Sequence, residues 1–178
     1  MIFENKKNEQ TGLTIMETSV YLGLFTLMML LLFALLSFVY SANLRFRLLK
    51  ETTDNARMAM DMIAYEIKEA NSVYASTTNS SQLSLRTDHY IMAGEADSFL
   101  DIFVCGTQLC LKKEGQAEPV VLTSGSVVVK ELSFIRFSAT SSSPAVQIGL
   151  RLESKNPIDR FGAHVSVNVT STASLRSY

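Results

Sequence analysis

Gly12-Leu13-Thr14-Ile15-Met16-Glu17-Thr18-Ser19-Val20-Tyr21-Leu22-Gly23-Leu24-Phe25 opens the stretch that decides how this chain is organised. From Thr18 to Asn43 there is no Asp, Glu, Lys, Arg, His or Pro, and Leu, Met, Phe, Ile and Val dominate. A run of about 20 apolar residues is long enough to cross a bilayer as a helix. It is too long for the core of a cleaved secretory signal, which spans about 7–15 residues. Glu17 stands at the edge of the run, five residues after Gly12. A carboxylate beside hydrocarbon is costly and marks a function that supplies a neutralising partner.

The helical pattern continues past the apolar run. Leu49, Thr53, Ala56, Met60, Ile63, Ile67, Ala70 and Tyr74 recur at spacings of four and three, on one helical face. Arg47/Glu51, Lys50/Asp54 and Arg57/Asp61 are opposite charges four residues apart, as on a solvated face. No Pro or Gly falls between Gly23 and Gly94. The pattern predicts one helix from about Leu13 to about Tyr74, roughly 90 Å at 1.5 Å per residue. Its first half, 13–43, is apolar all round and its second half, 44–74, is amphipathic.

The Ser/Thr/Asn stretch Ala75–Ser81 reads as a loop, and strands follow. They are expected at Gln82–Leu85, Phe99–Val104, Gln108–Lys112, Val120–Leu122, Val127–Phe137, Ala145–Leu152 and Ala163–Val169. Gly106-Thr107 reads as a hairpin turn, and Val127–Phe137 alternates with one slip, the mark of a bulge. The expected fold class is α+β: one antiparallel sheet over 75–178 packed on the amphipathic half of the helix. The tail Ser171–Tyr178 is expected to fray.

The block Gly12 to Phe25 resembles the type IV prepilin signature, shared by type II secretion and competence pseudopilins. In that family a short polar leader ends in Gly, a hydrophobic residue follows, and Glu stands at the fifth mature position. The resemblance implies a leader over 1–12, cleavage by a prepilin peptidase between Gly12 and Leu13, and N-methylation of Leu13. It also implies a role in assembly for Glu17. Residues 13–43 become the transmembrane and polymerisation segment, leaving 166 residues after cleavage. Lys6 and Lys7 are offset by Glu4 and Glu9, and Arg45, Arg47 and Lys50 lie across the span. Orientation is therefore implied by the resemblance and not by basic residues.

Asn55 to Ala70 is similar to the helix of minor pilins of the W type and pseudopilins of the J type. The resemblance implies a minor subunit assembling through its N-terminal helix, at or near a filament tip. Its partners are other pilin or pseudopilin subunits, the prepilin peptidase/methyltransferase, an inner-membrane assembly platform and the lipid bilayer. It implies a single-pass inner-membrane protein with its globular domain outside the cytoplasm, later part of a pilus or pseudopilus. A major pilin and a monomeric single-span anchored binding domain are the alternatives.

No catalytic motif is present: neither Gly-x-Ser-x-Gly, His-Glu-x-x-His, a P-loop nor a dinucleotide fingerprint. The chain reads as a non-enzyme without a cofactor. A net charge of −1 gives no nucleic-acid-binding surface. His89 and His164 are isolated and read as surface or strand residues. Glu95, Asp97 and Asp101 lack EF-hand spacing and read as a solvated loop, and no metal site is expected. Cys105 and Cys110 flank the hairpin turn within reach of a disulfide, which an oxidising compartment would favour. Two reduced, core-packed cysteines are the alternative.

Overall fold

A computed structural model describes residues 14–75, 77–91, 94–137, 144–155 and 164–176. Helix α1 spans Ile15–Glu69 without interruption. Eight strands follow: β1 (Ser72–Val73), β2 (Leu83–Thr87), β3 (Ser98–Cys105), β4 (Gln108–Lys113), β5 (Val120–Val121), β6 (Val127–Phe137), β7 (Ala145–Ser154) and β8 (Ser166–Ser174). The fold is α+β with a long apolar N-terminal helix. The chain divides into two compact units, one ending at Asn43 and one from Leu44 to Tyr178.

In the first unit, the described helix is long and apolar enough to cross a membrane, by length and composition. Its large side chains, Val20 to Tyr40, are exposed. In water such a surface is unfavourable at about 25 cal/mol per Å², so it requires lipid or another apolar surface against it.

The second unit holds two antiparallel sheets where the strand pattern predicts one: β1-β2-β3-β4-β5 and β6-β7-β8. The two sheets stay separate because β6 pairs with β7 alone, and its other backbone hydrogen bonds among the described residues go to loops that border the first sheet. Val129 N–H donates to the Thr107 carbonyl (2.8 Å) and Phe134 N–H to the Ser80 carbonyl (3.0 Å). One core serves both sheets and the helix. Ala56, Ala59, Met60, Ile63 and Ile67 meet Leu83, Leu85, Leu100, Ile102, Leu109 and Leu111 from the first sheet. From the second come Val146, Ile148, Leu150 and Leu152.

Several expectations are corrected. The helix ends at Glu69, not near Tyr74, because the next residues are captured by β2. Asn71 N–H donates to the Arg86 carbonyl (2.8 Å) and Tyr74 N–H to the Ser84 carbonyl (2.9 Å). The predicted helical face is buried at Ala56, Met60, Ile63, Ile67 and Ala70 and also takes in Ala59 and Glu66, but at its start Thr52 is buried in place of Thr53, and Leu49 is 45% exposed. Thr52 tolerates burial because its hydroxyl donates to the Leu48 carbonyl within the helix (2.8 Å). The tail is not frayed over its first half, since β8 runs to Ser174 and Leu175 is only 3% exposed. The slip in β6 is a bulge between Val129 and Glu131, after which Leu132 and Phe134 point inward again. Phe137, the last residue of the strand, is exposed.

Candidate functional site

The start of α1 is built by its first residues. Thr14 precedes the helix, and its hydroxyl oxygen accepts a hydrogen bond from Glu17 N–H at 3.3 Å. Thr14-Ile15-Met16-Glu17 therefore has the form of a capping box, with Thr14 as N-cap and Glu17 at the third helical position. There the carboxylate lies where the helix dipole favours negative charge. One of its oxygens, Oε1, accepts from the Tyr21 hydroxyl at 3.4 Å, one turn along. The Thr14-x-x-Glu17 spacing carries the signal of such a cap in the sequence itself. Gly12 and Leu13, the expected cleavage and methylation positions, lie outside the described residues. From the next turn onward the surface is apolar: Val20, Leu24, Leu27, Leu31 and Leu35 are all exposed. Chemically this is an exposed apolar surface with one carboxylate at its edge.

Cys105 and Cys110 sit on the β3–β4 hairpin. The two-residue loop Gly106-Thr107 places Gly106 at φ 66°, a backbone conformation suited to glycine at the first central position of a tight hairpin. Register pairs Cys105 with Gln108 and Cys110 with Phe103, so the two cysteines are diagonal and not directly opposed. They are joined as a disulfide with Cα atoms 5.8 Å apart.

A polar cluster closes the end of the core beside the C-terminus of α1. Glu69 accepts from Arg176 Nη1 at 3.3 Å and meets His89 Nε2 at 3.3 Å. Lys113 Nζ lies 3.5 Å from the centroid of the Tyr90 ring, a cation–π contact. Glu66, one turn before Ala70, is only 7% exposed. Burial pushes its carboxyl above the usual carboxylate range, opposed by the positive charges of Lys113 and His89 and reinforced by Glu69. An apolar-face reading of the sequence misses Glu66 because it counts only hydrophobic positions.

The acidic residues weighed as metal ligands are dispersed. Asp97 pairs with Arg86 at 2.6 Å, and Asp101 accepts from the buried Ser84 hydroxyl at 2.5 Å. Glu114 accepts from Phe99 N–H at 2.9 Å. Two clefts on the outer face of the first sheet share Phe99, Asp101 and Glu114, so both of their carboxylates are already engaged. His164 lies 3.8 Å from Glu153, far along the chain from the Glu69–His89 pair. Among the described residues no three His, Cys, Asp or Glu side chains form a group that could hold a metal ion. No family model matches the chain, and neither a curated protein nor a solved structure does so.

Proposed function

We propose that the chain is a minor pilin or pseudopilin subunit, similar to the W and J types, that assembles through its N-terminal helix. The carrying observation is the uninterrupted helix from Ile15 to Glu69, exposed and apolar in its first half, with Glu17 at its first turn. Such a helix needs lipid before assembly and neighbouring helices after it. In this reading residues 1–12 are a leader, a prepilin peptidase cuts between Gly12 and Leu13, and Leu13 is methylated. The protein starts as a single-pass inner-membrane protein with its globular domain outside the cytoplasm, and an assembly platform passes it into the filament.

Cleavage creates a positive α-amino group at Leu13, four residues from Glu17. In a filament Glu17 meets the terminus of a neighbouring subunit and sets the axial stagger between helices. Removing one partner of a buried ion pair typically costs about 3–5 kcal/mol. N-terminal mass spectrometry of the membrane fraction is expected to find a peptide starting at Leu13, one methyl heavier. An intact Met1 terminus in cells with an active prepilin peptidase would overturn the family reading.

A second reading, a monomeric single-span anchored binding domain, is favoured by one contact set. Thr14, Glu17 and Tyr21 satisfy one another within their own helix, which gives Glu17 a local use. Glu17→Gln separates the two. Under the filament reading, leader cleavage and protein level are unchanged while co-purification with partner pilins falls. Unchanged co-purification supports the anchored domain.

A further inference from the structure

Strand β8 ends the second sheet, and its outer edge carries no paired strand among the described residues. Two flanking hydrogen bonds fix which residues face outward. Ser154 N–H donates to the Val165 carbonyl (2.9 Å), and Leu175 N–H donates to the Pro144 carbonyl (3.0 Å). Backbone direction alternates along an antiparallel strand, so odd-numbered residues from Val165 to Leu175 turn their N–H and C=O groups toward β7. The even-numbered residues Ser166, Asn168, Thr170, Thr172 and Ser174 turn theirs away. An outward row of donors and acceptors is a template for another strand.

Nothing in this edge blunts it. Ser166–Ser174 contains no Asp, Glu, Lys, Arg, His, Pro or Gly. The other edges differ. β6 carries a bulge, Lys130, Glu131 and Arg136, and two of its N–H groups are taken by Thr107 and Ser80. β1 and β5 are two residues each.

We propose that β8 pairs antiparallel with β8 of a second copy of this chain, in a register centred on Thr170, to form one six-stranded sheet across a two-fold axis. That register matches every outward-facing residue with another: Ser166 with Ser174, Asn168 with Thr172, and Thr170 with its own copy. All five therefore enter the reciprocal hydrogen-bonded positions of an antiparallel ladder. Moving the two-fold axis to Asn168 or Thr172 leaves outward residues without partners. On the exposed face the pairs are hydroxyl with hydroxyl or amide, which favour cross-strand contact. On the inner face Val167 meets Ala173 and Val169 meets Ser171, extending the apolar side of the sheet. An uncharged strand suits its own copy because no like charges are brought together, and the contact is isologous, so it closes as a dimer. The inference uses only the second unit and holds under either reading of the function.

The test uses the full chain in detergent or membranes. Cys105 and Cys110 are bonded to each other, so an introduced cysteine is the reactive thiol. At the two-fold axis paired Cα atoms lie about 5.5 Å apart. Position 168 is four residues from its own copy along the strand, more than about 13 Å. A thiol crosslinker shorter than that distance is expected to link T170C to itself. It should leave N168C unlinked, and link N168C to T172C when the two variants are mixed. T170K, which opposes two lysines on the axis, is expected to abolish the N168C–T172C product by at least tenfold while the protein remains folded. Self-linking of N168C at the level of T170C, or no product from T170C, overturns the proposal. A strand from another protein on this edge would give that second outcome.

Discussion

The two halves of α1 share a backbone and differ in what surrounds them. Leu24, Leu27, Leu31 and Leu35 belong to a surface that is apolar on all sides and exposed; Ala56, Met60, Ile63 and Ile67 belong to one buried face opposed by charges. The first half is the more hydrophobic and the less buried. Hydrophobicity therefore says how much a segment must leave water, while periodicity says whether its own chain can provide the cover. The second half finds that cover in two sheets.

Substitutions can break this contrast. The largest effect is expected from Ile63→Ala, which removes a fully buried side chain between helix and sheets. It should destabilise the second unit by about 2–5 kcal/mol, read as faster hydrogen exchange of the β7 amides in detergent. Cys105→Ser with Cys110→Ser follows. The bond closes a short loop, so its loss should cost about 2 kcal/mol in the same exchange measurement. Free alkylation of both thiols in the folded, unreduced protein would show that the hairpin is held without a covalent link.

Glu66→Gln sharpens the buried half through pH. Burial raises the folded-state pKa of Glu66 above its unfolded value, so the protonated group favours folding. That contribution is fully present below the unfolded pKa and is lost as pH rises through the raised folded pKa. The variant should lack this loss, and the stability gap between wild type and variant should shift in the variant's favour over that window. Parallel pH curves would show that Glu66 is solvated. The smallest effect belongs to Leu30→Ala in the apolar half, expected to change the second unit by less than about 0.5 kcal/mol.

Much of this was legible in the residues. The apolar run, the helix through Ile67, the hairpin at Gly106-Thr107 and the bulge in β6 follow from periodicity and turn chemistry. The helix end was not, because Asn71 to Tyr74 carries no breaker; it leaves the helix only when β2 presents its carbonyls. The second sheet was hidden for a similar reason, since alternation shows that a strand has an inner face without saying which strands share it. Thr52 and Glu66 were hidden because each is a polar side chain on a buried face: the Thr52 hydroxyl is bonded to the Leu48 carbonyl, and burial pushes the Glu66 carboxyl toward its neutral form. At Glu17 the carboxylate stood out in the sequence, and its local partners Thr14 and Tyr21 came only with the structure.

The shared core also has a consequence in time. Ala56 to Ile67 emerge from the ribosome early, while Ala173 and Leu175, which complete the same core, are made about 100 residues later. At roughly 5–20 residues per second, the helix waits about 5–20 s with its sticky face uncovered. The apolar half has emerged before that wait begins. If lipid takes up the first segment during those seconds, the apolar face of α1 left in water is this one, until β7 and β8 arrive to close over it.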